Sequence, residues 1–221
     1  MKRIGAFLPL ILLLGSVPLL QAQGPFNVAI GFGSAYDKAT GTGIESASSL
    51  DAFAGCTPSS TDITCERTPS LSRLIMGFEG DALLSKHIGI GAELNFQPTK
   101  GDYGPLQYRQ LFYDFNGIYV PVSSKRAQPR LEAGIGGSHT GFSYSQSSCV
   151  GTAVCTTEAT SVGSSGHFQV HAGAGVQVLL TKHLFLRPQF DFRYVPNFSN
   201  QFGNDYTIGG TVWIGYNFGE L

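Results

Sequence analysis

Eight segments of the chain alternate apolar side chains with small or polar ones, each over about ten residues. In the last segment Tyr206, Ile208, Gly210, Val212, Ile214, Tyr216 and Phe218 share one strand face, and Thr207, Gly209, Thr211, Trp213, Gly215 and Asn217 share the other. A strand needs roughly 9–11 residues to cross a bilayer, and every second side chain then faces hydrocarbon. The pattern therefore predicts membrane-spanning β-strands.

The predicted strands are about 25–36, 70–82, 88–97, 106–120, 129–144, 166–179, 183–195 and 206–218. Their apolar faces are more uniform than those of a soluble sandwich, and the opposite faces carry glycine and charge together. An open sheet would leave edges that lipid cannot satisfy, so the sheet must close. We predict an all-β, eight-stranded, antiparallel up-and-down transmembrane β-barrel whose interior is filled by side chains.

The connections between the predicted strands alternate in length. Those after strands two, four and six are short, and those after strands one, three, five and seven cover about 37–69, 98–105, 145–165 and 196–205. Short periplasmic turns and longer external loops are typical of outer-membrane barrels, and this parity places both termini in the periplasm. Aromatic girdles are expected outside at Tyr36, Tyr108, Tyr194 and Tyr206, and inside at Phe26, Tyr119, Tyr216 and Phe218. Pro188 falls on a lipid face and predicts a local bulge.

The first residues have the pattern of a secretory signal peptide. Met1–Arg3 form a short basic region, Gly5–Leu20 carry no charge, and Ala22 is a small residue at a suitable cleavage position. The alternative is a transmembrane anchor, for which the apolar run is short. We expect residues 1–22 to be a signal peptide and residues 23–221 to form the barrel domain.

Composition excludes several classes of function. Charged residues make up only 13% of the chain, and its formal net charge is −1. A nucleic-acid partner would call for a basic patch, so none is expected. The glycines lie inside strand patterns and no phosphate-binding loop precedes a helix, so we expect no cofactor.

The segment Val212-Trp213-Ile214-Gly215-Tyr216-Asn217-Phe218 ends the last strand on an aromatic residue, although Gly219, Glu220 and Leu221 follow it. Together with the eight-strand pattern, it resembles the OmpA/OmpX-like small outer-membrane barrels of Gram-negative bacteria, which usually stop on the aromatic residue. The resemblance implies an integral protein of the cell outer membrane, surrounded by its lipid. It also implies that the C-terminal strand is presented to the barrel-assembly machinery.

Charged side chains fall on the predicted inward faces. They are Arg73, Glu79, Asp81, Glu93, Asp114, Arg130, Glu132, Arg187, Asp191 and Arg193. Unpaired buried charges are costly, so a network of ion pairs that plugs the lumen is expected, with an ion pathway gated by pair exchange as the alternative. His167 and His171 lie about 13 Å apart along one strand, too far to chelate one ion. We expect them to form hydrogen bonds and assign no metal site.

Four cysteines lie between predicted strands, on the external side. Cys56 and Cys65 share the first long connection, and Cys149 and Cys155 share the third. Of the three possible connectivities, disulfides within each loop are favoured after passage through an oxidising compartment. Each small loop would contribute roughly 2–3 kcal/mol of stability.

Three functional hypotheses follow from the sequence. The first is a monomeric, non-enzymatic barrel that supports the envelope or contacts an external ligand or surface partner. The second is a pore for ions or small solutes. The third is a lipid-modifying enzyme, but no motif places a serine–histidine–acid relay and no catalytic residue is assigned.

Overall fold

A computed structural model describes residues 26–37, 43–44, 55–56, 66–67, 71–103, 106–122, 124, 126–150, 154–202 and 204–219. Eight long strands dominate it: β1 Phe26–Asp37, β2 Leu71–Leu83, β3 Ile88–Phe96, β4 Leu106–Tyr119, β5 Ala127–Val150, β6 Val154–Leu179, β7 Leu184–Tyr194 and β8 Tyr206–Asn217. In the described part of the chain, no helix is long and apolar enough to cross a membrane. The predicted eight-stranded antiparallel β-barrel is confirmed.

Consecutive strands pair antiparallel all the way around, and β1 pairs with β8, so the sheet closes. The β1–β8 register runs from Asn27↔Asn217 to Tyr36↔Ile208. We call the end where β1 begins and β8 ends the terminal end, and the opposite end the loop end. Short additional strands at 43–44, 55–56 and 66–67 form a separate three-stranded sheet, and Gly101–Tyr103 pairs with the start of β4.

Alternation along the strands separates two surfaces of opposite chemistry. On β4, Phe115 is 67% exposed on the outside while Phe112, three residues earlier, is fully buried inside. Large apolar side chains cover the outer surface of all eight strands. Soluble monomers rarely expose apolar patches above a few hundred Å², so this exterior is the surface that faces lipid.

Strands β5 and β6 are longer than the sequence predicted. They have 24 and 26 residues, and their pairing continues to Val150↔Val154. The predicted connection 145–165 is therefore mostly a hairpin. Its Ser/Thr-rich sequence lacks apolar alternation because both faces lie beyond the hydrocarbon, but cross-strand hydrogen bonding does not require an apolar face.

The predicted bulge at Pro188 is wrong. The β7–β8 register passes through Pro188↔Val212 without a shift, and the one irregularity in the β5–β6 ladder lies between Ser161 and Gly163. The proline instead coincides with a gap in the β6–β7 ladder between Gly175↔Gln189 and Val178↔Leu186. Losing one ladder interaction toward β6 accommodates the missing N–H without an inserted residue.

Candidate functional site in the barrel lumen

The lumen contains two layers of buried polar side chains, and Arg130 is the centre of the first. Its guanidinium donates to Glu79 at 2.6 Å, to Asp81 at 3.0 Å and to Glu132 at 2.5 Å. Arg187 also donates to Glu79 and lies 5.6 Å from the centre of the Trp213 ring. One guanidinium from β5 therefore ties together carboxylates from β2 and from its own strand.

The second layer lies nearer the loop end and is built around Arg193. The guanidinium donates to Glu93 at 2.8 Å and to Asp114 at 3.3 Å, and it stacks 5.2 Å above the centre of the Phe112 ring. Gln169 Nε2 donates to the other oxygen of Asp114 at 2.6 Å. Beside them, His171 Nε2 lies 3.1 Å from Asp191 Oδ1.

The structure thus brings together Glu79, Asp81, Glu93, Asp114, Arg130, Glu132, Arg187, Asp191 and Arg193. Arg73 does not join them. Its side chain is 40% exposed and pairs with Asp102 at 2.8 Å, outside the buried layers. Its position near the beginning of β2 puts it at the rim of the barrel, where the long side chain reaches water.

Charge in the two ion-pair layers is unbalanced. Their six buried carboxylates (Glu79, Asp81, Glu93, Asp114, Glu132 and Asp191) face three buried guanidiniums (Arg130, Arg187 and Arg193). The prediction that Arg73 is a fourth lumen cation is wrong. The excess of buried carboxylates over buried guanidiniums is therefore larger than the sequence predicted. Buried carboxylates need a proton, a donor or a cation nearby, so the excess has to be satisfied inside the lumen.

An apolar cluster closes the loop end of the lumen. We call it the loop-end cluster; its members are Ala35, Leu71, Ile75, Tyr108, Phe112, Phe142, Val195, Phe198 and Phe202. Phe198 begins a 3-10 turn after β7, and its ring lies 4.7 Å from that of Phe202. Phe112, on the inward face of β4, packs against Phe198.

Two expectations change at this end. Tyr108 is only 2% exposed and packs against Phe202 at 5.1 Å, so it belongs to the loop-end cluster and not to the outer aromatic girdle. The connection 196–205, expected as an external loop, inserts two phenylalanines into the barrel mouth. The sequence feature that could have predicted this insertion is the presence of two aromatic residues in an otherwise polar connection.

The turn that carries Phe198 is held by Asp205. Its carboxylate accepts a hydrogen bond from the Ser199 backbone N–H at 2.8 Å, and its backbone carbonyl accepts one from Val195 N at 2.7 Å. Hydrogen bonds from Ser199 lower the pKa of Asp205, because they favour the charged carboxylate. Asn197, just before the turn, adopts a left-handed conformation with φ of 65°.

The terminal end is packed around aromatic residues that need glycine neighbours. A Cβ at Gly31 would lie 2.7 Å from the Trp213 ring, so only glycine leaves room there. Beside the first ion-pair layer, toward the terminal edge, is a cavity of about 10 Å³, lined by Asn27, Leu83, Val120, Gln128, Arg130, Gln177 and Asn217. It has room for about one water molecule.

The two histidines of β6 have separate partners. His171 is buried between Asn116 and Asp191, whereas His167 is partly buried and contacts Ser165 Oγ at 2.7 Å and Gln201 Nε2 at 3.2 Å. A hydrolytic relay also needs a carboxylate that orients the histidine. In the described part of the chain, the hydrogen-bond partners of His167 are a serine and an amide.

The cysteine predictions fall largely outside the described residues. Cys65 lies outside them, and the side chains of Cys56, Cys149 and Cys155 are not described. The backbone places Cys149 and Cys155 directly opposite each other in the β5–β6 register. The two disulfides stay predictions.

The closed sheet, apolar exterior and filled polar lumen define a small eight-stranded transmembrane β-barrel. No protein-family model matches the chain, and no curated protein matches it in sequence. Several solved outer-membrane barrels share the fold. One of them is OprG from Pseudomonas aeruginosa, which matches with a TM-score of 0.51 and 14% identity. The match covers 89% of this chain and 96% of OprG.

Two further structures have a TM-score of 0.50 and 10% identity. The match with Neisserial surface protein A covers 87% of this chain and 95% of that protein's chain. The match with Yersinia pestis Ail, in complex with the heparin analogue sucrose octasulfate, covers 88% of this chain and 99% of the Ail chain. At these identities the similarity establishes the fold, and the residues of the lumen and loops have to be interpreted for this chain.

Proposed function

We propose that this protein is a closed, monomeric, non-enzymatic barrel of the outer membrane that presents its loop end to the surroundings, with both termini in the periplasm. The filled lumen is the main observation that supports the proposal. Ion-pair layers occupy its middle, the loop-end cluster covers one mouth, and the cavity near the terminal end has room for only about one water. An interior packed in this way leaves no path for a solute.

Surface contact is supported by the length of the β5–β6 hairpin. A tilted strand needs roughly 9–11 residues to cross the hydrocarbon, whereas these strands have 24 and 26. The extra pairs form a continuous ladder beyond the apolar exterior, up to Val150↔Val154. A paired hairpin offers a partner a more ordered surface than an unpaired loop, so less entropy is lost on binding.

The charge of the external connections bears on the kind of partner. The Ail structure contains a sulfated polyanion, but the connection 38–70 of this chain is acidic, with Lys38 and Arg67 against Glu45, Asp51, Asp62 and Glu66. Polyanion recognition needs clustered arginine or lysine. We therefore propose a protein partner with a neutral or basic surface.

Conductance tests the closed lumen. Purified protein in a planar bilayer is expected to give no steady current, because the ion-pair layers and the loop-end cluster act in series. The double variant Phe198→Ala/Phe202→Ala opens the loop-end cluster but leaves the ion-pair layers intact, so it should remain non-conducting. Steady, ion-selective openings of the wild type would contradict the proposal and favour the pore hypothesis.

A hairpin truncation tests surface contact. Replacing residues 146–158 by an Asn-Gly turn joins the paired residues Ser145 and Ala159, so it keeps the paired barrel segments and removes the tip of the hairpin. Cells with the wild type should adhere to immobilised neutral and basic extracellular proteins more than cells with the truncated protein, and neither should gain adhesion to heparin. Equal adhesion by the two cell types would count against a role for the hairpin.

The enzyme hypothesis is tested by lipid analysis. Mass spectra of lipid A from cells with and without the protein should be the same. A mass change that disappears in Ser165→Ala would show that Ser165 and His167, 2.7 Å apart, act as a nucleophile and base. That result would overturn the non-enzymatic assignment.

A further inference from the structure

Three side chains that can bind metal converge in the second lumen layer. Glu93 of β3, His171 of β6 and Asp191 of β7 each contribute one ligand atom, and these atoms lie within 4.8 Å of one another. None of the three residues is more than 3% exposed. Ligands of one tetrahedral zinc ion lie about 3.4 Å apart, close to the 3.1 Å that separates His171 Nε2 from Asp191 Oδ1.

The neighbours of His171 determine which ring nitrogen is available. Asn116 donates its amide Nδ2 to Glu132 at 3.4 Å, so its Oδ1 is the atom that faces His171 Nδ1 at 3.0 Å and accepts the ring proton. In its neutral form His171 then has its lone pair on Nε2, directed at a carboxylate oxygen. Two acceptors at this distance need a proton or a metal ion between them, and this geometry suits a metal ion.

The two carboxylates of the group are also held by neighbouring donors. Asp191 accepts from Gln189 Nε2 at 2.7 Å and from Thr211 Oγ1 at 3.0 Å, and Glu93 accepts from Asn95 Nδ2. Outer hydrogen bonds that fix each ligand are the usual surroundings of a metal ion in a protein.

An independent observation concerns the second carboxylate oxygen of Glu93. Arg193 binds Glu93 Oε1, but Glu93 Oε2 is buried and has no hydrogen-bond partner among the described residues. The two ion-pair layers together hold six carboxylates against three guanidiniums. A buried carboxylate oxygen without a partner, inside an acidic interior, is a position where a cation lowers the free energy.

We propose that Glu93, His171 and Asp191 bind one divalent cation of the zinc type within the lumen. One imidazole nitrogen and two carboxylate oxygens suit zinc, with water as a fourth ligand. The ion would link β3 to the adjacent strands β6 and β7 across the lumen and would reduce the acid excess. Because the loop-end cluster and the packed terminal end enclose the site, the ion enters while the barrel folds.

Refolding with and without metal tests the site. Full-length protein is unfolded in urea and refolded into detergent micelles with zinc chloride or with EDTA, and unbound metal is removed. Elemental analysis should find about one zinc ion per folded wild-type chain, and the zinc-refolded sample should unfold at a higher urea concentration. His171→Gln and Asp191→Asn should each lose the zinc, and Asn116→Leu should weaken zinc binding about ten- to a hundred-fold.

The matched control is His167→Gln, which removes the other inward histidine of β6 and should retain the zinc. Heat-modifiable gel migration identifies folded samples, and Glu93→Gln, which preserves side-chain shape, decides the question if His171→Gln does not fold. Folded wild type that retains no zinc would overturn the proposal. So would equal retention by wild type and the folded lumen variants, because the exposed His87, His139 and His183 would then be the ligands.

Discussion

At the scale of residues, Arg130 has the most carboxylate partners in the lumen. It pairs with Glu79, Asp81 and Glu132. Arg130→Met should lower the free energy of unfolding by about 3–5 kcal/mol, because it leaves buried carboxylates without their cation. Glu132→Gln should cost less, since Arg130 keeps two carboxylates.

Urea unfolding of protein in lipid vesicles measures both changes. The control is Val176→Ala on the outer surface, which trims a side chain that is 42% exposed to lipid and should have a small effect. Equal losses for Arg130→Met and Glu132→Gln would mean that stability does not depend on how many charged partners each group has.

Gly31 allows a second prediction at this scale. A Cβ there would lie 2.7 Å from the Trp213 ring, whereas a Cβ at Gly80 has no neighbour within 4 Å. Gly31→Ala should therefore destabilise the barrel by about 1–3 kcal/mol through overpacking, and Gly80→Ala should not. Trp213→Leu should remove most of the difference, and a double-mutant cycle in urea unfolding measures the coupling.

At the scale of elements, the β5–β6 hairpin favours one cysteine pairing. Residues directly opposite in an antiparallel pair have Cα atoms roughly 4.5–5.5 Å apart, within the range that a disulfide spans. Cys149 and Cys155 occupy such positions. Non-reducing peptide mapping should find Cys149–Cys155 and Cys56–Cys65, while a Cys56–Cys149 linkage would mean that the two connections are joined to each other.

At the scale of the whole molecule, closure predicts resistance to unfolding. Each of the eight long strands is paired with a neighbour on both sides. The folded sheet therefore has no free edge that detergent could reach. The protein should be recovered with the outer-membrane fraction and should migrate faster on a denaturing gel before boiling than after it. Recovery in the soluble periplasmic fraction, or identical migration in both samples, would contradict the outer-membrane assignment.

The sequence by itself determined the barrel. A period of two over about ten residues specifies which side chains face lipid, and this local rule located six of the eight strands to within a few residues. It also identified the inward charges, since a residue's face depends only on its parity along the strand. The rule underestimated the lengths of β5 and β6, because strand segments that pair in water need no alternation of apolar and polar residues.

Only the tertiary structure decided how those inward residues combine. Parity places Arg73 and Arg130 on the same kind of face, but depth along the barrel puts Arg73 in water and Arg130 among three carboxylates. The closing of the loop end by Phe198 and Phe202, and the meeting of Glu93, His171 and Asp191, likewise bring together residues far apart in the chain. Such contacts depend on strand register and closure around the barrel, which no local pattern encodes.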